Sequence, residues 1–161
     1  MKKIIRLTAL LLAVLGLCAC GQAKSVKNNV PVEQIVAGIL EELSAREDLT
    51  PMNDSYVGGV MGMDVSDYSE YAVYISAVGT NIDEFGVFKV SGDLKPEDAA
   101  QQLRDYLQMR EDTWMNQYTP EERPKLQKAA VKTLGGYVMY AILSEPEQKA
   151  AFAAFEGALT D

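Results

Sequence analysis

Acid side chains are the richest source of chemistry in this sequence, and they fall in two short runs. Asp64, Asp67 and Glu70 recur every three residues after Gly62. Carboxylate oxygens that converge are hard ligands for Ca²⁺. The alternating acids and central glycine of an EF-hand loop are missing here, however, and acids in a polar connector ordinarily cap turns. No metal is expected. Asn81, Asp83 and Glu84 make the second run, at the tip of a loop. Paired carboxylates do acid–base work when their surroundings split their pKa values, and a glycosidase needs its pair ~5–9.5 Å apart across a cleft. In an exposed loop the same two acids are ordinary solvated carboxylates. Ser66, Ser69 and Ser76 have no histidine to activate them, since the chain contains none. Neither Gly-x-Ser-x-Gly nor Ser-x-x-Lys occurs, so nucleophilic catalysis is not expected.

Aromatic side chains offer a different kind of site. Tyr71, Tyr74, Phe85 and Phe88 are expected, with Tyr137 and Tyr140, to line one face of a sheet. An open face of that kind is a binding platform, because tyrosine joins an apolar body to a polar tip. A face covered by helices is core. Trp114 carries the same two readings, an anchor for a partner if exposed and a core residue if it continues the Leu103–Leu107 stripe. The candidate binding residues are therefore Tyr71, Tyr74, Asp83, Glu84, Trp114, Tyr137 and Tyr140. No cofactor is expected: Gly58-Gly59 is too short to cradle phosphate, and no Gly-Lys-Ser/Thr follows it.

Periodicity supplies the elements that must position these groups. Val32, Ile35, Val36, Ile39, Leu40 and Leu43 form an unbroken helical stripe from Pro31 to about Arg46. Thr50–Glu70 is punctuated by Pro51, Asn53, Gly58, Gly59 and Gly62, with room for a short helix near Tyr56–Met61. Tyr71–Val78 and Phe85–Val90 are rich in β-branched and aromatic residues and predict a hairpin with a longer loop. Both its faces carry apolar residues, which marks a central pair or one covered on both sides. Pro96 opens a helix running to about Met115. Thr119-Pro120-Glu121-Glu122 has the pattern of a capping box, and Pro124 limits the helix there to one or two turns. Lys128–Leu134 and Tyr137–Leu143 are strands joined by Gly135-Gly136, a turn that needs positive φ. Ser144-Glu145-Pro146-Glu147 caps a last helix with Ala151, Phe152, Phe155 and Leu159 on its apolar side. The order, a helix then ββα–ββα, predicts an α+β fold: four mainly antiparallel strands with helices packed on one face, a two-layer sandwich.

Upstream of all this lie Lys2, Lys3 and Arg6, then an apolar run from Leu7 to Leu17 that is too short to span a bilayer, which takes ~20 residues. The run ends in Leu17-Cys18-Ala19-Cys20, which resembles the lipobox of bacterial lipoproteins. The resemblance implies a signal peptide over 1–19, cleavage after Ala19 and a diacylglyceryl group on Cys20. Residues 20–30 then form the lipidated cysteine and a flexible tether, and 31–161 a single α+β domain. Loss of the signal takes the formal charge from −8 to −11. Such an excess of acid argues against nucleic acid as a partner and against electrostatic adhesion to anionic lipid. With Cys18 removed and Cys20 a thioether, no thiol remains for catalysis, a disulfide or a thiolate ligand.

The segments "EYAVYIS", "TNIDEFGVFKV", "YTPEERPKLQKAAV" and "GGYVMYAI" resemble a family of lipoproteins from Gram-positive anaerobes, number four-three-five-eight in the series of domains of unknown function. The similarity runs from roughly residue 32 to 158, and its motifs are strands, turns and caps. It implies a lipoprotein address and a single domain, with no activity or catalytic residue to carry over. The expectation is a non-enzymatic lipoprotein on the extracytoplasmic face of the cell membrane, anchored by its lipid. Its ligand is an envelope protein, a peptide or a small molecule. The alternatives are a carboxylate-dependent hydrolase of the envelope and a structural spacer. Oligomeric state is not legible.

Overall fold

The computed structural model describes residues 25–161 apart from Ala45, Asn116 and Tyr118. The expected signal peptide, the lipidated Cys20 and the first part of the tether lie outside the described residues.

Helix α1 (Val32–Glu42) follows the stripe read from sequence, burying Val32, Ile35, Val36 and Ile39. It ends where Ser44 turns to φ 57°. Then come β1 (Leu49–Pro51) and α2 (Asp54–Gly59), whose first turn is capped by Asn53 Oδ1 accepting the Tyr56 N–H at 3.2 Å. Strands β2 (Tyr68–Ser76) and β3 (Glu84–Val90) form the first hairpin. After α3 (Pro96–Asp112) and the short α4 (Arg123–Gln127), β4 (Ala130–Leu134) and β5 (Tyr137–Ile142) form the second. Gly135 supplies the positive φ of its turn, at 58°. The last helix, α5 (Glu145–Leu159), opens on the expected box: Glu147 accepts from both the N–H and the hydroxyl of Ser144.

The α+β class, the antiparallel sheet and the helices packed on it are as the sequence predicts. Strand number and layering are not. The sheet has five strands in the order β1-β2-β3-β5-β4, every neighbouring pair antiparallel. The extra strand, β1, is three residues long and contains Pro51. It is too short to show a period of two, and a proline is tolerated at a sheet edge. Helices cover both faces, so the domain has three layers where two were expected. One core packs α1 and α5 against Phe85, Val87, Tyr137, Met139 and Ala141. The other packs α2 and α3 against Val73, Phe88, Val138, Tyr140 and Ile142. All six residues of β5 are buried, as a strand with two covered faces requires.

Two smaller expectations also change. Thr119 makes no capping bond. Glu122 turns inward, where it accepts the Ile82 N–H at 3.1 Å and the Lys125 ammonium at 2.9 Å. The expected tether is already docked from Val26 on. Val26 bridges Thr160, the Lys27 N–H donates to the Leu159 carbonyl at 2.8 Å, and Asn28 Oδ1 accepts the Gly136 N–H at 2.9 Å. Val30 is buried, and its carbonyl accepts the Tyr137 hydroxyl at 2.6 Å.

Candidate functional site

The expected aromatic platform does not form, because its members are spaced by odd numbers. Side chains alternate along a strand, so Tyr71 and Tyr74, Phe85 and Phe88, and Tyr137 and Tyr140 each divide between the two faces. Tyr71 pairs with Phe88 and stacks on it at 5.9 Å on one side, while Tyr74 pairs with Phe85 and stacks at 5.4 Å on the other. Phe85, Phe88, Tyr137 and Tyr140 are fully buried beneath helices, with only Tyr71 and Tyr74 half-exposed.

Asp83 and Glu84 are not loop-tip acids either. Both are buried, at 2% and 0% exposure. Glu84 is the first residue of β3, placed between Ile75 of β2 and Ile142 of β5. Its Oε1 accepts the hydroxyls of Tyr106, at 2.7 Å, and Tyr140. Its Oε2 accepts from Arg110, with the Tyr56 hydroxyl at 3.5 Å. Tyr106 and Arg110 stand four residues apart on α3 and so share a face. Arg110 also donates to the Tyr106 hydroxyl at 2.7 Å and the Tyr56 hydroxyl at 3.1 Å.

Burial pushes the phenols of Tyr106 and Tyr140 well above their ordinary range, and the Glu84 charge adds to the effect. Burial alone would lower the Arg110 guanidinium, but Glu84 and the tyrosines outweigh it and hold it fully charged. Both Glu84 oxygens are thus occupied by donors that keep their protons. A general base needs a free lone pair within reach of substrate, and this carboxylate offers none.

Asp83 lies between two cations, Arg46 at 2.9 Å and Lys125 at 2.7 Å. Arg46 forks onto both oxygens of Asp48 at 2.7 Å and reaches Glu147 at 2.8 Å. That fork, with the other two acids, raises the Arg46 pKa despite burial, and it pulls the Asp48 carboxyl well below its usual range. Lys125 also holds Glu122 at 2.9 Å. The network ties the loop before β3 to the connector after α1, to α4 and to the first turn of α5. Little in the sequence signals it, since Arg46, Asp48 and Lys125 sit in connectors or short turns. Tyr106 and Arg110 left one sign, a polar tip and a charge on the apolar side of α3.

The remaining acids go separate ways. Asp64 accepts the N–H and hydroxyl of Ser66 at 2.9 and 2.7 Å, and Glu70 takes Lys89 at 2.9 Å and the Val32 N–H at 2.8 Å. Among the described residues no three metal-ligating side chains converge. Nor is any helix among them long and apolar enough to cross a membrane.

Of the expected site residues, Tyr71 and Tyr74 border a cavity of about 460 Å³ beside α1; a second cavity is lined by Trp114. Trp114 follows the C-terminus of α3, half-buried against the α2/α3 core. With Gly79, Thr80, Thr113, Met115 and Thr119 it lines a cavity of about 320 Å³. Its Nε1–H is buried with no acceptor among the described residues. Met115 and Val78, the latter beside Gly79, stand 59% and 49% exposed. An apolar wall and an unmet donor suit a ligand that brings an apolar group and a hydrogen-bond acceptor together.

A sequence model of the family described as Domain of unknown function (DUF4358) matches residues 43–143, which span β1 to β5 and include Asp83, Glu84, Arg110 and Trp114. No curated protein and no solved structure matches the chain.

Proposed function

Because the chain belongs to the DUF4358 family, whose description assigns no activity, we propose from its own surface that it is a non-enzymatic binding domain. A lipid on Cys20 would hold it on the extracytoplasmic face of the cell membrane. The observation that carries the binding reading is the Trp114 cavity, with a buried donor and exposed apolar residues at its rim. Tryptophan is the commonest kind of interface anchor, and it works best in a desolvated pocket. Against a carboxylate hydrolase stand Asp83 and Glu84 themselves, neutralised by separate cations and engaged in separate networks.

The address is supported by Leu17-Cys18-Ala19-Cys20 after a short apolar run. Two acyl chains on Cys20 would anchor the domain firmly where one is marginal. Mass spectrometry of the native product tests this directly: a diacylglyceryl mass on an N-terminal Cys20 is expected, and residues 1–19 still attached would refute it.

The chain has one tryptophan, so a nitrogen-15 spectrum contains a single indole N–H peak. Short apolar peptides screened against the protein should include ligands that shift this peak, and Thr80→Arg, which fills the cavity mouth, should abolish the shift. Ligands that bind without moving the peak, and that ignore Thr80→Arg, would place the site elsewhere.

A further inference from the structure

The cavity and the anchored terminus lie at opposite ends of the sheet. Chain entry is fixed by Val26 on Thr160, Lys27 on Leu159 and Asn28 on the Gly135-Gly136 turn. The same turn receives the Val90 N–H, at the end of β3, at 3.0 Å. The other end of β3 is Glu84, which pairs with Ile142, the last residue of β5. Beyond it runs the β2–β3 connection, whose Gly79 and Thr80 line the Trp114 cavity. The seven residues of β3 rise about 20 Å from one end to the other.

On the reading that Cys20 carries the lipid, only five peptide units separate the anchor from Ser25, a span of at most about 18 Å. The docked terminus therefore stays close to the bilayer, and the cavity lies at the far end of the sheet from it. We infer that the cavity serves the aqueous side, taking a peptide segment of an extracytoplasmic protein and not membrane lipid. An extended peptide presents backbone carbonyls for the Trp114 Nε1–H and apolar side chains for Met115 and Val78. The chain as a whole is acidic, so its net charge repels an anionic surface.

The single tryptophan makes the test direct. Lipidated protein purified from membranes is placed in phosphatidylglycerol vesicles containing a dansyl-headgroup lipid, and energy transfer from tryptophan is measured. A second protein carries Thr133→Trp and Trp114→Phe. Its reporter lies beside the Gly135-Gly136 turn, at an exposed position of β4.

Transfer falls with the sixth power of distance, so Trp114 should transfer roughly tenfold less than the turn reporter across a separation of ~20 Å. Equal or greater transfer from Trp114, in protein that floats with the vesicles, would overturn the orientation alone. Protein that fails to float, with an unmodified Cys20, would overturn the anchor reading and the orientation with it.

Discussion

Asp83 and Glu84 are joined by one peptide bond, yet their side chains enter separate ionic networks. Asp83 is held by Arg46 and Lys125, and Glu84 by Arg110 with the hydroxyls of Tyr106 and Tyr140. Arg46 reaches Asp83 from the connector after α1 and Lys125 from α4, whereas the partners of Glu84 come from α3 and β5. The junction thereby fastens the start of β3 to most of the elements around it.

Glu84→Gln keeps the shape and removes the charge. Arg110, with its side chain 20% exposed, is then left without its counter-ion. Breaking one partner out of a largely buried pair costs about 3–5 kcal/mol. Urea unfolding followed by Trp114 fluorescence should show a loss of that order with an unchanged slope. A loss within experimental error would mean that the tyrosine hydroxyls alone satisfy the site.

Acid stability should track Asp48. Its folded pKa is depressed by the Arg46 fork and the Ser76 hydroxyl. The stability it contributes is therefore present above the ordinary carboxylate range, ~3.9, and is lost as pH falls below it. Asp48→Asn should lower stability at neutral pH and flatten the acid limb of the stability–pH curve. A mutant curve parallel to the wild type down to low pH would contradict the assignment.

The alkaline side has the opposite sign. Burial, aided by Asp54, pushes Tyr71 up to about 12, and burial raises Tyr56, Tyr106 and Tyr140 as well. A phenol whose folded pKa is raised contributes stability that is intact below the unfolded value, ~10, and is lost as pH climbs through and beyond it. Tyrosinate absorbance should lag behind that of the unfolded chain and then rise together with unfolding. An early, noncooperative titration of most of the eight tyrosines would rule this out.

Gly86→Ala places a Cβ 2.5 Å from Tyr140 Cε1 and 3.1 Å from Phe88 and Val73 side-chain carbons. Tyr140 is fully buried and bonded to Glu84, so it has little freedom to yield. Overpacking of this kind costs about 1–3 kcal/mol, visible as a lowered melting temperature. Gly157→Ala, where nothing lies within 4 Å of the added carbon, is the matched control and should be neutral or slightly stabilising.

Tyr137→Phe tests the docking of the N-terminal segment. It removes the donor to the buried Val30 carbonyl, at a cost of about 1–3 kcal/mol. Hydrogen exchange should quicken at Lys27, whose N–H is held by Leu159, more than at β5. Uniform acceleration across the sheet would mean that the bond supports the whole fold and not this segment.

By itself the sequence determined the elements. The α1 stripe, the Gly135-Gly136 turn, the Ser144 box and the hydrophobic runs of β2, β3 and β5 are all set by neighbours a few residues apart, where period and turn chemistry are decisive. The alternation of Tyr71, Val73 and Ile75 with Ala72 and Tyr74 allowed a pair covered on both sides, but it did not decide that helices lie on both faces, and the expected sandwich had two layers. Only the tertiary structure decided which polar groups meet. Glu84 with Tyr106, Arg110 and Tyr140, and Asp83 with Arg46 and Lys125, are contacts across tens of residues, and a carboxylate looks the same in sequence whether water or an arginine surrounds it. The Trp114 cavity is of the same kind, because the stripe that leads up to the indole says nothing about Gly79 and Thr80, which come to it from the β2–β3 connection.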